Sequence, residues 1–244
     1  MSGQDVNAEQ RCPGRELALL VDGRIELLGR ILHSSNETFL VQLSCGDAAA
    51  WAVYKPEAGE RPLSDFQPGL YRRERAAYLL SDHLEWAIVP PTVIREDGPL
   101  GVGSLQWFIE GDQREHYFTL YADSPETHAV LAQIAVFDCI TNNTDRKSGH
   151  VLRGDDGHVW GIDHGLCFSA EFKLRTVIWD FAGKPIPDTL LEDITPLAEA
   201  VPRGVAELLD DAEVAALQRR VQRLLREGVL PVDRTGRRYP WPLV

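Results

Sequence analysis

An apolar helical stretch ending at Ile140 runs straight into ten residues, Thr141-Asn142-Asn143-Thr144-Asp145-Arg146-Lys147-Ser148-Gly149-His150, of which only the glycine lacks a polar side chain. A tight hairpin pattern follows: Val151-Leu152-Arg153, the turn residues Gly154-Asp155-Asp156-Gly157, then His158 to Ile162. The hairpin leads directly into Asp163-His164-Gly165. Short polar side chains set between a buried helix and a buried hairpin cost free energy unless partners or a ligand satisfy them. The loop therefore reads as functional rather than as a polar connection with capping asparagines. Asp-x-Gly alone is a common turn. A loop carboxylate, a hairpin and a second carboxylate at the strand exit together form a much more restrictive constellation.

The remainder of the chain divides around this feature. Residues 1–15 read as a tail, and Glu16 to Leu20 can open a short helix. Ile25 to Leu32 and Thr38 to Leu43 alternate as strands around the polar turn His33 to Glu37, with a third strand from Ala50 to Tyr54. Leu70 to Leu84 carries apolar residues at helical spacing. Thr92 to Arg95 and Gly103 to Ile109 read as two more strands. Ser124-Pro125 reads as a capped helix start leading to Ile140, and Asp211 to Glu227 as an amphipathic helix capped by Asp210 or Asp211 and ended by Gly228. The expected architecture is α+β: a β-rich first lobe over 16–110 and a mainly helical second lobe over 111–244.

Composition narrows the functions available. The 244 residues carry 25 basic and 37 acidic side chains, a formal charge of −12, which argues against holding nucleic acid by charge alone. Cys12, Cys45, Cys139 and Cys167 are widely spaced, with neither a zinc signature nor a disulfide framework. The absence of a signal-peptide pattern and of long apolar runs leads to the expectation of a cytoplasmic protein without integral membrane association.

Phosphoryl transfer requires a cation on nucleotide phosphates, carboxylates to hold metal, and a base facing the acceptor. Four features match these needs in order. Lys55 ends an apolar strand in a chain with only four lysines, although a lone strand-end lysine is ordinarily a solvated surface residue. Glu74, flanked by Arg72, Arg73 and Arg75, lies on the following helix, where it could fix Lys55 or simply face solvent. The Asn142–Arg146 loop and Asp163 complete the set.

These stretches resemble the phosphatidylinositol 3-/4-kinase superfamily, and most closely the type II phosphatidylinositol 4-kinases and their compact bacterial relatives. The resemblance rests mainly on Asp138-x-x-x-x-Asn143-Thr144-Asp145-Arg146 and on Gly161-Ile162-Asp163-His164-Gly165-Leu166-x-Phe168. Weaker support comes from Val53 to Pro56, Glu74 to Tyr78 and Gly103 to Glu110. It implies a two-lobed atypical protein-kinase-like fold with an ATP cleft between an antiparallel N-lobe and a helical C-lobe. It further implies that Ser34, Ser35 and Asn36 cover the phosphates, that Lys55 binds them with Glu74 as partner, and that Trp107, Phe108, Ile109 and Glu110 form the hinge for adenine. Asp145 is then the base, Arg146 the catalytic-loop arginine, and Asp163 the Mg²⁺ ligand, with an unidentified hydroxyl acceptor: an inositol-type polyol, a lipid or a protein side chain.

One departure stands out. The family's second metal-binding Asn falls at His150, a softer ligand than a carbonyl oxygen. Three consequences stay open: one metal with Asp163, His150 as a ligand for a metal such as Mn²⁺, or weakened transfer. The rival readings are a nucleotide-binding pseudokinase with a regulatory role and an AMP transferase on the same fold.

Overall fold

The computed structural model describes residues 13–32, 34 and 36–243. Five antiparallel strands form one sheet: β1 (Arg24–Arg30), β2 (Phe39–Cys45), β3 (Ala48–Pro56), β4 (Thr92–Arg95) and β5 (Gly103–Trp107), in the order β1-β2-β3-β5-β4. The expected strand to Ile109 ends two residues earlier, leaving 108–110 as an irregular connection. Side chains alternate across the sheet. Val41, Leu43, Ala52, Tyr54, Val93 and Leu105 point to one buried face, where they pack with Leu19 and Leu20 of α1 (Pro13–Asp22). That helix begins inside the segment expected to be a tail.

The opposite face carries Trp51, Val53 and Lys55 of β3, with Leu40 of β2 in register with Val53. Trp51 is exposed and the other three are half-buried, and Lys55 on this face lines the cleft.

α2 (Leu70–His83) follows the loop 57–69. Its Ala76, Ala77, Tyr78 and Leu80 join the larger apolar core, together with Trp86, Ile88 and Val89. The helical part comprises α3 (Tyr117–Asp123), α4 (His128–Thr141), α5 (Asp188–Ile194), α6 (Arg203–Ala206) and α7 (Asp211–Glu227). Between α4 and α5 lies the two-stranded hairpin of β6 (Val151–Arg153) and β7 (Val159–Gly161).

Two helix ends show how local chemistry sets the fold. At α7, Asp210 Oδ1 accepts from Glu213 N at 2.8 Å, Glu213 Oε2 accepts from Asp210 N at 3.2 Å, and Gly228 closes the helix at φ 64°. At the start of the 125–140 segment, Ser124 makes no side-chain cap. Pro125–Thr127 form a 3₁₀ turn in which Ser124 O accepts from Thr127 N at 2.9 Å. The α-helix therefore starts at His128, one turn later than the sequence pattern indicates.

Candidate active site

Asn142 stops α4 in the left-handed region, at φ 55°, a conformation that asparagine tolerates. Its buried side chain donates from Nδ2 to Ser169 O at 2.9 Å and Glu171 O at 2.7 Å, and accepts from Lys173 N at 2.9 Å. The next four residues thread between two other segments. Thr144 N and Oγ1 both donate to Leu166 O, at 3.0 and 2.9 Å. On the other side Arg175 N donates to Asn143 O at 2.9 Å, Arg146 N to Arg175 O at 3.1 Å, and Val177 N to Arg146 O at 3.0 Å. Asp145 is thus clamped through its neighbours' backbone while its carboxylate faces the cleft. Burial pushes that carboxyl above the ordinary Asp range, and Lys147 Nζ, 3.1 Å from Oδ2, partly offsets the effect.

Arg146 does not face the cleft. It is fully buried, and its guanidinium lies on the equally buried carboxylate of Asp138, with Nε 3.1 and 3.0 Å from Oδ1 and Oδ2 and an Nη 2.9 Å from Oδ1. The other face of the fork donates to His150 O at 3.0 Å and Ile162 O at 2.7 Å, and reaches His164 Nε2 at 2.8 Å. A guanidinium saturated by six such contacts has no donor left for a substrate. The expected catalytic arginine is instead the brace that ties the Asp145 loop to the strand carrying Asp163.

Asp163 leaves β7 at φ 61°, a left-handed conformation that is uncommon outside glycine and turns its carboxylate toward Lys55. Lys55 Nζ lies 2.8 Å from Asp163 Oδ1 and also bonds Glu74 Oε1. Glu74, 2% exposed, is fixed at its second oxygen by His164 N at 3.0 Å. Burial alone would lower the Lys55 amine, but the carboxylates of Asp163 and Glu74 outweigh it and hold the amine as a firm cation. Burial would likewise raise Asp163, yet Lys55 and His150 hold it far below the usual carboxylate range.

The cleft is open to solvent and is lined by Ser34, Asn36, Thr38, Lys55, Glu74, Asp145 and Asp163, among others. Ser34 Oγ is 2.8 Å from Thr38 Oγ1, and Asn36 Oδ1 accepts from Arg61 N at 3.0 Å, which shapes the β1–β2 turn over the cleft. Ser35 lies outside the described residues. Trp107 to Glu110 do not line this cavity; they connect the lobes beside it. Trp107 N donates to Pro91 O and Phe108 N to Trp51 O, while the Ile109 N–H has no protein partner among the described residues.

His150, expected beside Asp163 as a metal ligand, instead places Nε2 3.2 Å from Asp163 Oδ2. Burial pushes its imidazole down to about 4, so it is neutral at pH 7. No group of three or more His, Cys, Asp or Glu side chains is arranged to hold a metal among the described residues. Asp163 presents a hard oxygen ligand to the cleft. That suits Mg²⁺, which is commonly held by one or two carboxylates with substrate phosphates and water completing its shell.

Several contributors escaped the sequence reading. Asp138 entered that reading only as part of a motif, and its role as the partner of Arg146 did not. Lys147 stood two residues from Asp145 without a role. Glu60 caps α2 by accepting from Gly69 N at 2.8 Å and Tyr71 N at 3.2 Å, a contact that no local pattern in its loop announces. Asp180-Phe181-Ala182-Gly183, which mimics an Asp-Phe-Gly motif, serves packing: Asp180 accepts from Tyr117 OH at 2.6 Å, and Phe181 packs on Tyr121.

Residues 70–225, more than half of the chain, match the sequence profile of the "Phosphatidylinositol 3- and 4-kinase" family. The chain belongs to that family. The match begins at α2, so β1 to β3, with Lys55 at the end of β3, precede it. "Protein Rv2133c" of Mycobacterium tuberculosis (strain ATCC 25618 / H37Rv) is 42% identical over 264 aligned positions, covering 93% of this chain and 95% of the relative. Among solved structures, "The structure of hydra Fam20 with sugar" aligns at a TM-score of 0.51 and 13% identity over 86% of each chain. The Helicobacter pylori "proinflammatory kinase CtkA" aligns at 0.47 and 10% identity, over 86% of this chain and 94% of the other. The Fam20 likeness establishes the fold, the two-lobed kinase-like α+β architecture. No helix among the described residues is long and apolar enough to cross a membrane.

Proposed function

We propose that this protein is an ATP-dependent kinase that transfers the γ-phosphoryl group of ATP, with Mg²⁺, to a hydroxyl acceptor. The observation that carries this reading is the chain of contacts from Glu74 through Lys55 to Asp163 in the cleft that also holds Asp145. A scaffold that only bound another protein would have no need to bury a lysine between two carboxylates beside a third.

In this reading Lys55 holds the nucleotide phosphates and Glu74 sets its position. Adenine lies against Val53 and Leu40, on the same face of the sheet as Lys55, and uses the Ile109 N–H at the hinge. Ser34 and Asn36 lie over the phosphates. Asp163 holds Mg²⁺, which neutralises phosphate charge when bound. Asp145, whose burial makes it more basic than an ordinary Asp, accepts the proton of the acceptor hydroxyl. The acceptor is a polyol, a lipid headgroup or a protein side chain.

The test is incubation of the purified protein with ATP and Mg²⁺ or Mn²⁺, with nucleotide products resolved by chromatography. ADP formation that disappears in Asp145→Ala and Asp163→Ala is the expected result. Pyrophosphate release instead would establish AMP transfer, and nucleotide binding with neither product would establish a pseudokinase.

A further inference from the structure

α2 carries three arginines around Glu74, and each has a different environment. Arg72 is exposed. Arg75 donates to Thr92 O and so ties the helix to β4 of the sheet. Arg73 reaches the helical lobe. Its Nη1 donates to Cys167 O at 2.7 Å, and its Nη2 donates to Glu213 Oε1 in the first turn of α7. Successive helical residues project about 100° apart, so Glu74 can face the cleft while Arg73 faces the lobe.

The Arg73–Glu213 pair is largely removed from solvent, with side chains 12% and 9% exposed. Both partners are held from elsewhere. Glu213 Oε2 also accepts from Asp210 N at 3.2 Å, so its carboxylate cannot swing away without breaking the capping box of α7. Phe66, buried in the loop 57–69, places its ring centroid 5.1 Å from Arg73 Cζ, and Lys173 Nζ lies 5.8 Å from the same centroid. Cys167 comes three residues after His164, whose N–H holds Glu74 Oε2 at 3.0 Å. Adjacent residues of α2 thus grip the two ends of one short segment, Glu74 at 164 and Arg73 at 167. Between them a Cβ on Gly165 would lie 3.4 Å from Glu74 Oε1, so helix and segment are already in close approach.

We propose, building on the ATP-dependent reading above, that Arg73 is a positioning residue for the phosphate site. It fixes α2 on the helical lobe so that Glu74 meets Lys55 before a nucleotide arrives. Arg73 touches no substrate, and its effect passes through Glu74 to the Lys55 amine. A guanidinium suits this task because its planar fork holds a carbonyl and a carboxylate at once while stacking on a ring.

Binding of two ligands separates this role from general packing: adenylyl imidodiphosphate with Mg²⁺, which carries phosphates for Lys55, and adenosine, which carries none. In Arg73→Met the affinity for the triphosphate analogue should fall on the order of 10- to 100-fold, the scale of one hydrogen bond to a charged group. Adenosine affinity should stay within about twofold, because no phosphate is involved. Glu74→Gln should give the same split, and the double variant should bind the analogue within about twofold of Glu74→Gln alone, since one residue acts through the other. Where Arg73→Met does not fold, Arg73→Lys keeps a cation opposite Glu213 but loses the fork, and the same split is expected of it. Equal losses for both ligands, no loss for either, or losses that add in the double variant would overturn the inference and leave the ATP reading intact. Failure of the wild-type protein to bind either ligand would overturn both.

Discussion

Arg146 and Asp138 offer a quantitative test of how the site is held. Both side chains are fully removed from solvent, and the guanidinium faces the carboxylate through two nitrogens at 2.9 to 3.1 Å. Asp138→Leu leaves a buried cation without its anion and also strips Asn143 Nδ2 of its acceptor at 3.0 Å. Breaking a buried pair from one side costs about 3–5 kcal/mol, a large share of the roughly 5–15 kcal/mol that stabilises a typical domain. Arg146→Met should cost a similar amount, because it leaves Asp138 as an unpaired buried anion and removes the donors on His150 O and Ile162 O. The double variant Asp138→Leu/Arg146→Met should recover much of the loss, since buried ion pairs are often replaceable by apolar side chains. Urea unfolding of the four proteins, read as shifts in midpoint at constant slope, gives the cycle. A coupling energy of several kcal/mol is expected. If Arg146→Met instead unfolds within about 1 kcal/mol of wild type while ADP formation is lost, the guanidinium serves the chemistry directly and the bracing argument is wrong.

Two further outcomes follow from the same geometry. Between pH 6.5 and 5 the unfolded chain takes up a proton at His150 that the folded chain, with its imidazole pushed down to about 4, refuses. Stability is therefore lost as pH falls through that window, by at most about 1.4 kcal/mol per pH unit, and the difference between wild type and His150→Gln in thermal or urea unfolding should shrink accordingly. Asn142→Gly keeps the left-handed backbone but deletes three buried hydrogen bonds. It should cost about 2–4 kcal/mol at roughly 1 kcal/mol per bond, and hydrogen exchange should accelerate first in residues 169–173.

Much of the architecture was legible because it depends on local periodicity and turn chemistry. The strands β2 and β3 alternate, α7 carries its own capping box and terminal glycine, and Asp163 follows a strand and precedes Gly165. What stayed hidden depends on contacts distant in sequence. The buried state of Arg146 requires Asp138 eight residues earlier and carbonyls from 150 and 162, and a charged residue beside a catalytic Asp reads from sequence as an active-site cation. The late start of α4 turned on Ser124 offering its carbonyl rather than its hydroxyl to the next turn. The role of residues 169–177 was equally hidden, because their backbone rather than their side chains flanks the Asp145 loop.

The two site carboxylates are fixed by different means, and this bears on how the cleft can respond to a ligand. Asp145 sits in a segment whose backbone is bonded on one side to Leu166 and on the other to Arg175 and Val177, so its position is set by the fold of the helical lobe. Asp163 is also anchored to that lobe through the Arg146 bond to Ile162 O, but its carboxylate is held by Lys55, which belongs to the sheet. The ion pair between Lys55 and Asp163 is therefore a contact between lobes, whereas the contacts that place Asp145 all lie within one. A nucleotide that draws Lys55 onto phosphate would loosen the inter-lobe contact and leave Asp145 where it is. Movement on binding should thus concentrate in the sheet and the 34–38 turn, with the Asp145 loop as the fixed reference against which the lobes close.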